Sequence, residues 1–269
     1  MIPISNINYI KKSLFESIIA VFTSIRKDFP VEYVTLELES RIQEAKDYIC
    51  NEIKLDKKIN KLLELFYQKW CFGAAGGIYK ISDVLWIDHV LKTRQGTAVS
   101  LGVILLHIAE QLSLPLEPVI FPTQLLLRSD CLDIKNCLIN PFNGDILDKH
   151  TLSVWLKGNI SPTSELCEND LQKSSVSNVL KKILDILKSA LMEEKKMELA
   201  LNVSNVLLII NPNDPYEIRD RGLIYAQLDC DHIALTDLIY FVEHCPEDPI
   251  SEIIKVQIHA IEQKKITLH

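Results

Sequence analysis

A mostly helical α+β chain is what the sequence predicts, and three observations predict it. Apolar residues recur at helical spacing through most of residues 9–112, short apolar runs broken by prolines and polar loops follow from Leu116, and helical spacing returns at about Asn178. The expected order is helices, a small antiparallel sheet, then a second set of helices. With 269 residues, each part has room to bury its own core. The expected division is a first domain over 1–157, a linker over 158–177 and a helical region over 178–269.

The first helix is expected from Tyr9 to Arg26, where Ile10, Leu14, Ile18, Val21, Phe22 and Ile25 fall on one face and Phe29-Pro30 ends the pattern. A second is expected over 35–51 (Leu36, Leu38, Ile42, Ala45, Ile49), and a third over 53–70 (Leu55, Ile59, Leu62, Leu63, Phe66). Phe72-Gly73-Ala74-Ala75-Gly76-Gly77 breaks the periodicity, and Ser82 and Asp83 are candidate N-caps for a helix carrying Leu85, Trp86 and Val90. After Gly96 an apolar stretch with few charges, 97–112, reads as a central helix buried on most sides. Val119-Ile120-Phe121, Leu125-Leu126-Leu127 and Leu138-Ile139 read as strands.

Composition excludes several function classes. A net charge of -7, from 29 basic and 36 acidic residues, argues against a phosphate-backbone partner, which needs a basic face. No apolar run approaches the ~20 residues of a membrane span. The 7 cysteines are irregularly spaced with no C-x-x-C pair, the pattern of a reduced cytoplasmic protein, and the first fifteen residues lack a signal-peptide pattern. No cofactor or metal is expected: the glycines at 73, 76 and 77 fit neither dinucleotide nor Walker spacing, and no ligand cluster has usable spacing.

The last third lies on itself with an offset of 34 residues. Ala200 falls on Ala234, Pro212 on Pro246, Asp214 on Asp248 and Pro215 on Pro249. Asp214 suits an N-cap, Pro215 the first helical position, where no amide donor is needed, and Glu217 a capping box. The two alanines are placed where helices approach closely. A 34-residue period with these features resembles the tetratricopeptide repeat. About two repeats are expected, 178–212 and 213–246, with a terminal helix from Pro249. Such repeats imply protein interaction, although two are fewer than the ~3 that stand alone, so docking on the first domain is an equal expectation.

The first domain's order is helices, a loop, a buried helix introduced by Gly96-Thr97-Ala98, a Ser-Leu-Pro turn at 113–115, then strands. This resembles the transglutaminase-like (papain-like) cysteine-hydrolase core, whose central helix opens on a Gly-x-Cys and is followed by a His and an Asp on the strands beyond. A thiol at a helix N-terminus has its thiolate favoured, the His acts as base and the Asp orients it. On that pattern the nucleophile's place falls on Ala98, the base's on Gln124 and the orienting carboxylate's on Asn140. None can do acid-base or nucleophilic work, so the resemblance implies a pseudoenzyme. The stretches at 79–86 (YKISDVLW), 94–102 (RQGTAVSLG), 139–144 (INPFNG) and 217–226 (EIRDRGLIYA) resemble the bacterial SirB-type family, which joins a transglutaminase-like domain to tetratricopeptide repeats.

The expectation is a non-catalytic adaptor whose emptied cleft and repeats engage a protein or peptide. The alternative is a hydrolase with a displaced nucleophile, Ser100 or Cys71, with Thr97 also near the helix start. His107, mid-helix among apolar neighbours, reads as a core residue, and His89 as a surface group. Arg219, Asp220, Arg221 and Tyr225 are interface candidates; a salt-bridged rung against the first domain is favoured over a contact with a partner.

Overall fold

The computed structural model describes residues 13–130 and 137–267. The described chain divides into two compact units, one of residues 13–23 and 28–183, the other of 24–27 and 184–267.

The first unit opens with α1 (Leu14–Ile25), α2 (Val31–Ile49) and α3 (Leu55–Glu64), the last running into a π-helical turn at Leu65–Lys69. The expected start of the first helix, from Tyr9, lies outside the described residues. α2 buries Val34, Leu38, Ile42, Ala45 and Ile49, the spacing of one helical face. After β1 (Gly73–Ala74) comes α4 (Ile87–Thr93), which begins later than Ser82 and Asp83 would place it. Trp86 occupies the N-cap without a side-chain bond, because the Ser82 carbonyl accepts from the amides of Leu85 and Trp86 in a preceding turn. The expected capping by Ser82 or Asp83 is therefore incorrect.

The central helix α5 (Ala98–Gln111) follows β2 (Gln95–Gly96). Eleven of its fourteen residues are buried, which explains why its sequence carries almost no charge. A four-stranded antiparallel sheet follows in chain order: β3 (Glu117–Ile120), β4 (Leu125–Ser129), β5 (Cys137–Ile139) and β6 (Ile146–Leu147). The uninterrupted Leu125-Leu126-Leu127 run belongs to a strand covered on both faces. Leu125 and Leu127 approach α5 at Gly102, where an added Cβ would lie 2.8 Å from Leu125 Cδ2. Leu126 points the other way, with Val119, Phe121 and Leu138, onto Leu152 and Leu156 of α6 (Lys149–Asn159) and onto Leu171. Residues 171–174 continue that cover, since Ser174 donates its amide to the Pro118 carbonyl at 2.8 Å and accepts the Ile120 amide on Oγ at 2.8 Å.

His107 is a packed residue of α5, its ring stacked on Phe15 at 3.9 Å. Burial pushes its pKa down to about 4, so the ring is neutral in the folded protein at pH 7. Its folded pKa lies below the unfolded value of 6.5, so the associated stability is complete above pH 6.5 and is lost as pH falls toward 4. The span corresponds to about 3 kcal/mol. His107→Phe should flatten the pH dependence of the urea midpoint between pH 6.5 and 4; an unchanged slope would show that His107 is solvated.

The second unit keeps the 34-residue period in its backbone. α7 (Val176–Glu193) and α9 (Pro215–Gln227) end 34 residues apart, α8 (Met197–Ile210) and α10 (Asp231–His244) correspond end to end, and α11 (Pro249–Thr267) starts 34 residues after α9. Lys195 and Asp229 take the same left-handed turn, at φ 61° and 57°. Asp214 caps α9 by accepting the Tyr216 and Glu217 amides, and Asp248 accepts the Ile250 amide at 2.8 Å. Ala200 and Ala234 are both fully buried, as close helix approach requires.

Glu217 does not complete the expected capping box. Its carboxylate turns inward to the Lys188 ammonium at 2.5 Å and the Ser204 hydroxyl at 2.6 Å, because Lys188 is itself buried and needs counter-charge. Asp220 supplies a second one at 2.7 Å. Burial works against the ammonium, but Asp220 and Glu217 outweigh it and raise the Lys188 pKa above the ordinary lysine value.

Candidate functional site

The N-terminus of α5 is built by a reciprocal cap. Thr97 Oγ1 accepts the Ser100 amide at 3.2 Å, and Ser100 Oγ accepts the Thr97 amide at 2.9 Å. β2, just before it, pairs in parallel with β1, so Gly73 and Ala74 lie beside Gln95 and Gly96. Ala98 is the first residue of the helix and is 4% exposed.

Gln124 closes the β3–β4 hairpin, where Phe121 and Gln124 exchange backbone hydrogen bonds at 3.0 and 3.2 Å. Asn140 opens the turn after β5, its carbonyl accepting the Gly144 amide at 2.8 Å and its Oδ1 accepting the Phe142 amide at 3.1 Å. The two amides meet, with Gln124 Nε2 donating to Asn140 Oδ1 at 3.5 Å. Their neighbours Leu125 and Pro141 both abut α5 at Gly102. Ala98 shares that helix face one turn earlier, four residues toward the N-terminus.

The 140–144 turn is fastened from beneath. Tyr67 donates its hydroxyl to the Pro141 carbonyl at 2.8 Å, and burial holds its phenol far above the ordinary range. Gly144, at φ +79°, lies so near that a Cβ would fall 2.7 Å from the Tyr67 ring, so both conformation and space call for glycine. Tyr67 carried no sequence signal: its contact partner lies 74 residues away.

Comparison with known proteins places each part of the chain in a family. The transglutaminase-like superfamily model covers residues 32–185, and a tetratricopeptide repeat model covers 187–259. Over 256 residues, 95% of each chain, the sequence is 58% identical to protein SirB1 of Salmonella typhimurium (strain LT2). The chain belongs to the family of SirB1 and the UPF0162 proteins. It is 71% identical over 265 residues, 98% of each chain, to a UPF0162 protein of Buchnera aphidicola subsp. Schizaphis graminum. It is also 55% identical over 269 residues, the whole of both chains, to the UPF0162 protein YchA of Escherichia coli K12. No solved structure matches the chain.

The other candidate nucleophiles each have a hydrogen-bond partner. Ser100 is 3% exposed, and its hydroxyl donates to the Val84 carbonyl at 2.7 Å while accepting the Thr97 amide. Cys71 is exposed at φ 58°, its thiol directed at the Gln68 carbonyl at 3.4 Å. His89 lies between carboxylates, 3.6 Å from Asp83 and 3.7 Å from Asp88. Among the described residues no three His, Cys, Asp or Glu side chains are grouped to hold a metal ion. No helix there is long and apolar enough to cross a membrane.

The charges at 219–221 find partners within the second unit, which corrects the expectation of a rung against the first domain. Arg221 forms a two-point bond to Asp237 of α10 at 2.7 and 2.8 Å. Asp220 joins Lys188, and Arg219 binds Asp220 at 2.6 Å while its guanidinium covers the Tyr216 and Phe241 rings. These bonds set helix against helix inside the repeats. Tyr225 is half-buried on α9.

Proposed function

We propose that this chain is a non-catalytic interaction protein: a transglutaminase-like unit whose triad places hold Ala98, Gln124 and Asn140, joined to tetratricopeptide hairpins that engage a protein or peptide partner. The observation that carries this reading is the Gln124–Asn140 amide pair at 3.5 Å, in the places where the pattern has a base and its orienting carboxylate. A carboxamide takes up no proton near neutral pH, and Ala98 has no nucleophile to activate. What remains of such a site is a set of hydrogen-bond donors and acceptors, which can hold a peptide without cleaving it.

A hydrolase based on Ser100 or Cys71 is the less supported alternative. The Ser100 hydroxyl is engaged by the Thr97 amide of the helix cap and by the Val84 carbonyl, and the thiol of Cys71 faces a backbone carbonyl. Free thiols at Cys50, Cys71, Cys137, Cys167, Cys230 and Cys245 support a reducing, cytoplasmic setting. The net charge of -7 favours a protein partner over a nucleic acid.

Site-resolved alkylation of the intact chain with iodoacetamide at pH 7 tests the reading. The exposed cysteines among the described residues should react within about tenfold of one another, as thiols without a paired base do. One cysteine labelled far ahead of the rest, with loss of a hydrolytic activity on labelling, would establish the enzyme instead.

A further inference from the structure

One face of the second hairpin differs from the corresponding face of the first. In the first hairpin Leu184, Leu187, Val203 and Val206 are buried, and Asn202 Nδ2 donates to the Ile25 carbonyl at 3.0 Å. The chain at Ile25 therefore lies against α8. Thirty-four residues on, the corresponding places hold Ile218, Arg221, Asp237, Tyr240 and Thr236. Together with Ile239 and Glu243 these line an open groove of about 460 Å³.

The chemistry of the groove differs from its closed counterpart in a consistent direction. A Leu187–Val203 pair needs permanent cover, whereas the Arg221–Asp237 pair that replaces it, two-pronged at 2.7 and 2.8 Å, is satisfied with or without water. Ile239 remains 39% exposed at the rim. Glu243 is exposed and has no bonded partner among the described residues. The groove thus offers apolar walls, a neutralised floor and one free carboxylate at the edge.

We propose that the groove between α9 and α10 receives the C-terminal turn of an amphipathic helix from a partner protein, an apolar turn followed by basic residues. The equivalent place in the first hairpin supplies the template: Ile25, the last residue of α1, followed by Arg26 and Lys27. In the second hairpin Glu243 provides the charge to meet such an ending. The inference rests on the interaction reading of the hairpins and does not involve the cleft at Ala98.

The test uses the full chain and a fluorescein-labelled peptide of residues 14–27, titrated by fluorescence anisotropy. Saturable one-to-one binding is expected. Ile239→Asp and Glu243→Lys should each weaken it about tenfold or more, as should a peptide with Arg26 and Lys27 replaced by Glu, while Asn202→Ala should leave it unchanged. Ile239 and Glu243 are exposed, so unaltered circular dichroism will show that the variants fold. Absence of saturable binding, indifference to Ile239→Asp and Glu243→Lys, or loss on Asn202→Ala would each overturn the proposal. The alkylation result at the cleft is independent of all these outcomes.

Discussion

Ala98→Cys combined with Gln124→His and Asn140→Asp is expected to create a thiol that alkylates about 100-fold faster at pH 6 than an ordinary cysteine. An unperturbed thiol is under about 1% ionised at that pH, whereas one beside a histidine at a helix N-terminus has a pKa of roughly 3.5–7.5. α5 provides fourteen residues of aligned peptide dipoles behind position 98. Gln124 and Asn140 already touch, so the introduced imidazole and carboxylate start within reach of each other. Ala98→Cys alone should gain only the helix contribution, about tenfold or less. The measurement is the pH profile of iodoacetamide labelling at position 98. Equal profiles for the single and triple variants would show that the three places do not converge, and the degenerate-site reading would fail with them.

Lys188→Met is expected to destabilise the helical hairpins by about 3–5 kcal/mol. The ammonium is 5% exposed and lies between Glu217, itself 7% exposed, and Asp220. Removing it leaves the buried Glu217 carboxylate without a cation, while the partly exposed Asp220 keeps Arg219. Burial already raises the Glu217 carboxyl above the ordinary glutamate value, against the pull of Lys188 and Ser204, so protonation of Glu217 will relieve part of the cost. Adding Glu217→Gln and Asp220→Asn to Lys188→Met should recover much of the loss, since a neutral site no longer needs the cation. The wild type has its own pH signature. A lysine whose folded pKa is raised contributes stability that is complete below its unfolded value of 10.5 and is lost as pH rises through the higher folded value. Urea midpoints at pH 7 and above pH 10.5 read both effects, and a Lys188→Met midpoint within about 0.5 kcal/mol of wild type would mean that the network is solvated.

Local pattern was sufficient where a residue's role is decided by its neighbours in sequence. The apolar spacing of α2, the bare α5 sequence and the leucine run of β4 each reported their burial directly, because one face, all faces or both faces of an element must be covered. The turn residues of the repeats were legible for the same reason: Asp214 bonds amides two and three residues away. At the candidate site the sequence supplied identities. That Ala98, Gln124 and Asn140 are an alanine and two amides needs no coordinates, and their chemical incapacity follows from residue type alone.

What the sequence could not supply was any role fixed by a contact distant along the chain. Glu217 was a reasonable capping residue until Lys188, 29 residues earlier, came within bonding distance; desolvation of a lysine is a stronger demand than one free amide. The two-point bond of Arg221 to Asp237 on the next helix had no sign in the sequence. Tyr67 gave no sign of holding the turn after Asn140, since its bond to Pro141 spans 74 residues. By itself, the sequence determined the succession of helices, sheet and hairpins, the 34-residue repeat and the residue types at positions 98, 124 and 140. Only the tertiary structure decided which charges neutralise one another and which amides meet. Those outcomes depend on desolvation and pairing between distant segments, and a local pattern carries no record of either.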